Sequence, residues 1–201
     1  MAVAFSPVRS DISVETETTE SRDAMDLTRP MERYVVHWGE MGARWGVNRS
    51  VAQIHALLYL AAKPLTAEDI ADTLSIARSN VSTSLKELQG WGLANLVHVL
   101  GDRRDHFETE KDVWKVALTI IEQRKQREID PTMGTLAQCV AEAKADPSTA
   151  RDVTARMEAV LSFVETSTLW YDQVKTLPTP VLSKLLRLGG KVARLVIRRR
   201  E

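Results

Sequence analysis

The sequence predicts a mainly α-helical protein that carries one helix-turn-helix and one short β-hairpin, followed by a helical second half. Three observations carry that reading. From Met31 onward apolar residues recur every three or four positions, the period of a helix face. One stretch breaks the pattern: "LANLVHVL", the turn "GDRRD" and "HFET" read as two short strands around a tight connection. And "SNVSTSLKEL", Ser79 to Leu88, spends helical positions on Ser, Asn and Thr, whose short polar side chains compete for backbone groups and are poor helix formers.

Taken in order, residues 1–30 hold six acids against three bases and few large apolar groups, so they read as a disordered acidic arm. Tyr34, Trp38, Met41 and Trp45 then form an apolar stripe on a leading helix, 31–46. Gly39, Gly42 and Gly46 permit close helix approach or a break near Trp45. Asn48 offers a cap for a second helix that Lys63-Pro64 terminates. Thr66 caps a third, with Asp69 adding favourable charge to its first turn. The connection "IAR" leads into the Ser79 segment, which ends near Gly92. Beyond Lys111 the pattern is helical again, with helices expected over 111–129, 131–145 and 147–173, and a last one after Pro178 or Pro180. Pro131 either kinks one long helix or starts a new one. The organisation expected is an arm over 1–30, a domain over 31–110 built from the leading helix, the helix-turn-helix and the hairpin, and a helical region over 111–201.

Projection of the polar segment onto a helix explains its composition. Val81, Ser84, Leu85 and Leu88 share the face that packs inward, and Ser79, Ser82, Thr83 and Lys86 share the opposite one. A merely solvated face would be filled with Glu, Lys, Gln and Arg. Small hydroxyls with one lysine instead allow close approach to a surface while presenting donors, acceptors and a cation, as a helix in the DNA major groove requires. Arg103 and Arg104, between Asp102 and Asp105 in the hairpin connection, suit backbone phosphate. Against this, residues 64–110 contain four bases and eight acids, so the bases must share one face if phosphate contacts are to supply affinity.

These residues resemble the MarR superfamily of winged-helix transcription regulators, and within it the GbsR branch. The resemblance runs from Tyr34 through Cys139 and rests on "WGVNRSVAQIHALLYL", "LTAEDIADTLSIARSNVSTSLKELQGWGL", "GDRRDHFE" and "REIDPT" in that order. It implies a homodimeric DNA-binding protein, usually a repressor, whose terminal helices build the dimer and whose recognition helices read a palindromic operator. Carried over by motif, Arg78, Ser79, Asn80, Ser82, Thr83 and Lys86 fall on the recognition helix, and Arg103 and Arg104 on the wing. The acidic arm before Asp26 and the basic tail after Lys184 lie outside the resemblance and inherit no role.

Other classes find less support. Equal numbers of basic and acidic residues, 27 each, advertise no general polyanion partner. Cys139 is the sole cysteine, which excludes an internal disulfide and agrees with a reducing compartment, so a cytoplasmic protein is expected. No apolar run is long enough for a membrane span. His37, His55, His98 and His106 have no metal-ligand spacing beside them and read as structural, and no nucleophile-base pair suggests an enzyme, so neither metal nor cofactor is expected. Trp38, Trp45 and Trp114 are candidate walls for a small-molecule effector, a cation being the class that aromatic faces suit; core or dimer packing is the plainer reading of the same residues. The last helix carries seven bases against Glu201, set opposite Leu185, Leu188, Val192 and Leu195. A solvated face, a contact to flanking DNA and a membrane surface all fit it, the membrane least. The alternative to a DNA-binding regulator is an interaction module that reuses the same fold for protein contacts.

Overall fold

The computed structural model describes residues 25–198, with side chains described through residue 189. The expected acidic arm therefore lies outside the described residues up to position 24, as do the side chains of the basic tail from Lys191. Folded structure reaches further back than the expected boundary at residue 30. Met25 and Leu27 pack against the core, and the Met25 N–H donates to Thr73 Oγ1 at 3.1 Å. The first helix, α1 (Arg29–Arg44), starts at Arg29 because Pro30 suits a first helical turn.

The α1 helix crosses α2 (Arg49–Leu60) at very short range. A Cβ at Gly42 would lie 2.5 Å from the Ala52 Cβ, which has no rotamer by which to move away, so this crossing requires glycine there; at Gly39 the near atom is the movable Gln53 Cγ, also at 2.5 Å. Gly46, with φ +77°, then turns the chain into α2, whose first turn is capped by Asn48 Oδ1 accepting from the Ser50 N–H at 2.8 Å. The α2 helix is the spine of the domain. Val51, Ala52 and the run Ile54 to Leu58 are buried.

A two-residue strand the sequence did not announce, β1 (Leu65–Thr66), follows. Two residues are too few to show an alternating pattern, and Thr66 doubles as a helix cap. Its hydroxyl accepts from the Asp69 N–H at 3.1 Å, while Asp69 Oδ2 accepts from the Thr66 N–H at 2.9 Å, a reciprocal box that starts α3 (Ala67–Leu74). Ser75, in the left-handed region at φ 53°, ends α3, and three residues later α4 (Arg78–Gly90) begins. The hairpin strands β2 (Asn95–Val97) and β3 (His106–Glu108) pair antiparallel with Leu96 opposite Phe107, and β1 joins the far side of β3 with Leu65 opposite Phe107. Ile54, Leu57, Leu58, Leu65, Ile70, Val81, Leu85, Leu88, Phe107 and Val116 close a single core among α2, α3, α4, the sheet and α5.

The second half runs α5 (Val113–Arg124), a π turn (Lys125–Ile129), α6 (Asp130–Ala145), α7 (Arg151–Val174) and α8 (Thr179–Arg198). Of the two readings open for Pro131, the structure takes the continuous helix, widened into the π turn just before the proline. The helix expected from Pro147 starts instead at Arg151. Asp146 folds back into a turn, accepting from the Ser148 N–H at 2.9 Å and from the Thr149 hydroxyl at 2.9 Å, and so holds the chain out of helix for one turn. The Tyr171 hydroxyl of α7 donates to the Leu118 carbonyl of α5 at 3.2 Å, and Lys175, just past the end of α7, places Nζ 2.9 Å from Glu122 Oε2 of α5. The last helix is continuous through Gly189 and Gly190, and beyond Ser183 its described side chains are exposed.

Candidate nucleic-acid interface

The α3–turn–α4 unit presents α4 with one face buried and one bare. Val81, Ser84, Leu85 and Leu88 are buried, and Ser79, Ser82, Thr83 and Lys86 are exposed, the division that the helical period predicts. The polar residues are not equivalent, however. Thr83 donates its hydroxyl back to the Ser79 carbonyl at 3.0 Å, which leaves the hydroxyl oxygen free to accept. Lys86 has no ion-pair or hydrogen-bond partner among the described residues. Asn80, by contrast, is turned toward the scaffold: its Nδ2 donates to Ser50 Oγ at 2.9 Å, and its Oδ1 receives the Ser84 hydroxyl at 3.3 Å. Arg78 is ion-paired with Glu68 of α3. No side chain caps the start of α4, since Ala77 occupies that position, and the first N–H groups of the helix are left for an outside acceptor.

The wing likewise divides its two arginines. Asp102 accepts from the Arg104 backbone N–H at 2.9 Å and from its Nε at 2.9 and 3.0 Å. These bonds, the side-chain ones foremost, hold the Asp102 carboxyl down to about 2. His106 braces the same corner, with Nδ1 2.9 Å from the Arg104 carbonyl and Nε2 3.5 Å from Asp102 Oδ2. Arg103 is exposed and has no partner among the described residues. The interface therefore offers two free cations, Lys86 and Arg103, and two held ones, Arg78 and Arg104.

Of the three tryptophans singled out in the sequence, the structure brings two together. Trp38 and Trp45 line a cavity of about 70 Å³ between α1, α2, the end of α4 and the end of α5, and Trp114 is not among its walls. Trp91 takes that place, with His55, Arg124 and Arg127. No spacing in the sequence relates position 91 to positions 38 and 45; only the packing of α4 on α2 does. His55 is 4% exposed and its Nε2 has no partner among the described residues. Burial, with a smaller contribution from the charge of Lys111, pushes this imidazole down to about 4, so it is neutral. Two guanidiniums border the cavity. Arg124 donates to the Trp45 carbonyl, and Arg127 sits 4.8 Å above the Trp91 ring. Among the described residues no cluster of three or more His, Cys, Asp or Glu is placed to hold a metal ion.

Comparison with known proteins meets this geometry. The MarR family's sequence model matches residues 45–105, the segment that contains α2, the helix-turn-helix and most of the wing. Two Bacillus subtilis (strain 168) proteins are similar. The HTH-type transcriptional repressor GbsR is 21% identical over 140 residues, 68% of this chain and 77% of that protein. YvaV, named as an HTH-type transcriptional regulator, is 22% identical over 76 residues, 38% of this chain and 43% of its own length, so the chain spans less than half of that relative. A crystal structure described as a transcriptional regulator superimposes with a TM-score of 0.51 at 17% identity, covering 72% of this chain and 99% of that one. Residues 45–105 are thus similar to the MarR family, and the chain shares its fold with a solved transcriptional regulator.

Proposed function

We propose that this protein is a DNA-binding repressor that works as a homodimer on a palindromic operator in the cytoplasm. The observation that carries the reading is the two-faced α4, whose inner face completes the core while small hydroxyls and an unpaired lysine stand outside it. Ser79, Ser82, Thr83 and Lys86 are the base-edge and sugar-phosphate contacts, Arg103 a phosphate contact, and Arg78, Asn80 and Arg104 act nearer the scaffold, each already bonded to it. Repression is supported by the name of the relative GbsR. Dimerisation is supported by α7, which has no buried residue although Phe163 and Trp170 are 72% and 62% exposed. Residues 31–110, which include the leading helix, form the reading head, and residues 111–201 the dimer region, whose first helix also borders the effector cavity.

An effector would enter between Trp38, Trp45 and Trp91 and be sensed at the end of α4. The aromatic walls suit a cation, but such a ligand competes with Arg127 for the face of Trp91. Ligand-dependent release of bound DNA is the test of that role.

The competing reading, a protein-interaction module, draws on the acids around α4 and on the two arginines they hold. Selection from a random duplex library with the purified chain separates the two. A repressor enriches an inverted repeat and binds it with a log–log salt slope of several units. An interaction module enriches nothing and shows no salt-dependent binding to duplex.

A further inference from the structure

We infer that Pro131, through the π turn it imposes, sets Arg127 as a positioning residue for α4, an assignment that rests on the DNA-binding reading above. The chemistry starts at the proline. Pro131 has no N–H, and in a regular helix its ring would clash with the carbonyl four residues earlier, which belongs to Arg127. The chain answers with a wider turn over Lys125–Ile129, in which the Asp130 N–H bonds to the Lys125 carbonyl, five residues back. Lys125 Nζ, 2.9 Å from Asp130 Oδ1, closes that turn from outside.

The π turn lies at a junction. Before it, α5 is anchored in the winged-helix core by Val116; after it, α6 packs on α7. At this point two guanidiniums reach back toward the reading head. Arg124 holds the Trp45 carbonyl in the connection between α1 and α2, and Arg127 lies over Trp91 at 4.8 Å. Trp91 is the residue on which α4 ends, its N–H bonded to the Glu87 carbonyl at 3.1 Å, three positions after the fully buried Leu88. The other end of α4 is held by Asn80 on Ser50 at 2.9 Å, in the first turn of α2. The recognition helix is thus pinned at both ends, and one pin belongs to the helix that leads into the dimer region. Arg127 is itself exposed, so its stack adds little to global stability. What it sets is the angle at which Ser79, Ser82, Thr83 and Lys86 meet a groove.

The test uses the full chain, the duplex that the wild type enriches from a random library, and an unrelated duplex. Arg127→Gln and Pro131→Ala are each expected to weaken the enriched duplex by up to about five-fold, the worth of an exposed cation–π contact, with little loss on the unrelated duplex. The salt slope stays at the wild-type value, amides of residues 87–90 exchange faster in both variants, and Arg127→Lys recovers part of the affinity. Wild-type affinity and exchange in Arg127→Gln would overturn the proposal. So would a salt slope lower by about 0.9, which marks Arg127 as a phosphate contact. Pro131→Ala with unchanged exchange at 87–90 would overturn the proline's part, and Arg127→Gln decides the remainder even if that variant folds poorly. Failure of the wild type to enrich any duplex counts against the DNA-binding reading alone, because exchange at 87–90 is read without DNA.

Discussion

The α2 and α7 helices make opposite use of their apolar residues. In α2, Val51, Ile54, Leu57 and Leu58 are at most 1% exposed, enclosed by α1, α3, α4 and the sheet of the same chain. In α7, twice as long, no residue is buried, and Val160, Phe163, Leu169 and Trp170 are all at least half exposed. In the sequence both helices are placed by flanking signals, Asn48 and Lys63-Pro64 for α2 and Asp146-Pro147 for α7. Periodicity reports that a face is apolar; it does not report whether the covering surface lies in the same chain. The winged-helix part closes on itself, whereas the helical half presents apolar surface that a second copy is proposed to cover.

The strongest way to break this contrast is to shorten a side chain on each helix. Leu57→Ala should cost about 2–5 kcal/mol, because a fully enclosed leucine leaves a cavity that its neighbours cannot fill. Phe163→Ala should leave the urea midpoint of dilute protein within about 0.5 kcal/mol. Its effect should appear in light scattering, as a particle shifted toward the 22.5 kDa of one chain. A Phe163 variant that loses as much stability as the Leu57 variant, with no change of mass, would erase the distinction.

A second effect, of similar order, belongs to the enclosed region alone. His55 is held neutral down to about pH 4, whereas in the unfolded chain it titrates near its ordinary value. The unfolded state therefore binds the extra proton first. Stability should be intact above about pH 6.5, fall as the pH drops toward 4 and then level off in this contribution, with a total on the order of 3 kcal/mol. His55→Gln should remove that part of the pH dependence in denaturation curves recorded between pH 7 and 4; an unchanged slope would mean that His55 opens to solvent.

Next in size is the seam at the end of α2. Lys111 threads its ammonium group onto the Leu58, Tyr59 and Ala61 carbonyls, the last two at 3.0 and 2.8 Å, and so satisfies acceptors that the helix end leaves over. Lys111→Met should cost about 1–3 kcal/mol in urea denaturation, since those carbonyls lose a charged donor. The smallest effect is expected on the wing. Arg103→Ala should flatten the log–log salt dependence of DNA binding by about 0.9, the release from one phosphate, with no change in the thermal midpoint.

What could be read in the sequence follows the same division between local and distant causes. The buried and bare faces of α4 follow from a fixed helical period, so four inward and four outward residues were legible from spacing alone. The wing was legible from "GDRRD" between two apolar runs. The brace of Arg104 on Asp102 was not drawn, although the two residues are only two apart, because an acid beside a base in a turn reads equally as solvated charge. The π turn at Pro131 and the turn at Asp146 each depend on how the chain resolves a proline next to an aspartate, and the same dipeptide gave two outcomes: a continued helix at 130–131 and a break at 146–147. Strand β1 was hidden by its length. The joining of Trp91 to Trp38 and Trp45, and of Arg127 to Trp91, depends on contacts between helices distant in sequence, which periodicity does not encode.

The central claim is that the bare face of α4 reads DNA, and the most direct measurement pairs affinity with stability for Thr83→Ala and Lys86→Ala. Both residues are exposed and belong to no core contact, so the thermal midpoint should move by no more than an exposed substitution allows, roughly 0.5 kcal/mol. On the duplex that the wild type enriches, each should lose about 1–3 kcal/mol of binding, with a smaller loss on unrelated DNA. Wild-type affinity for that duplex in both variants, with the fold intact, would contradict the account.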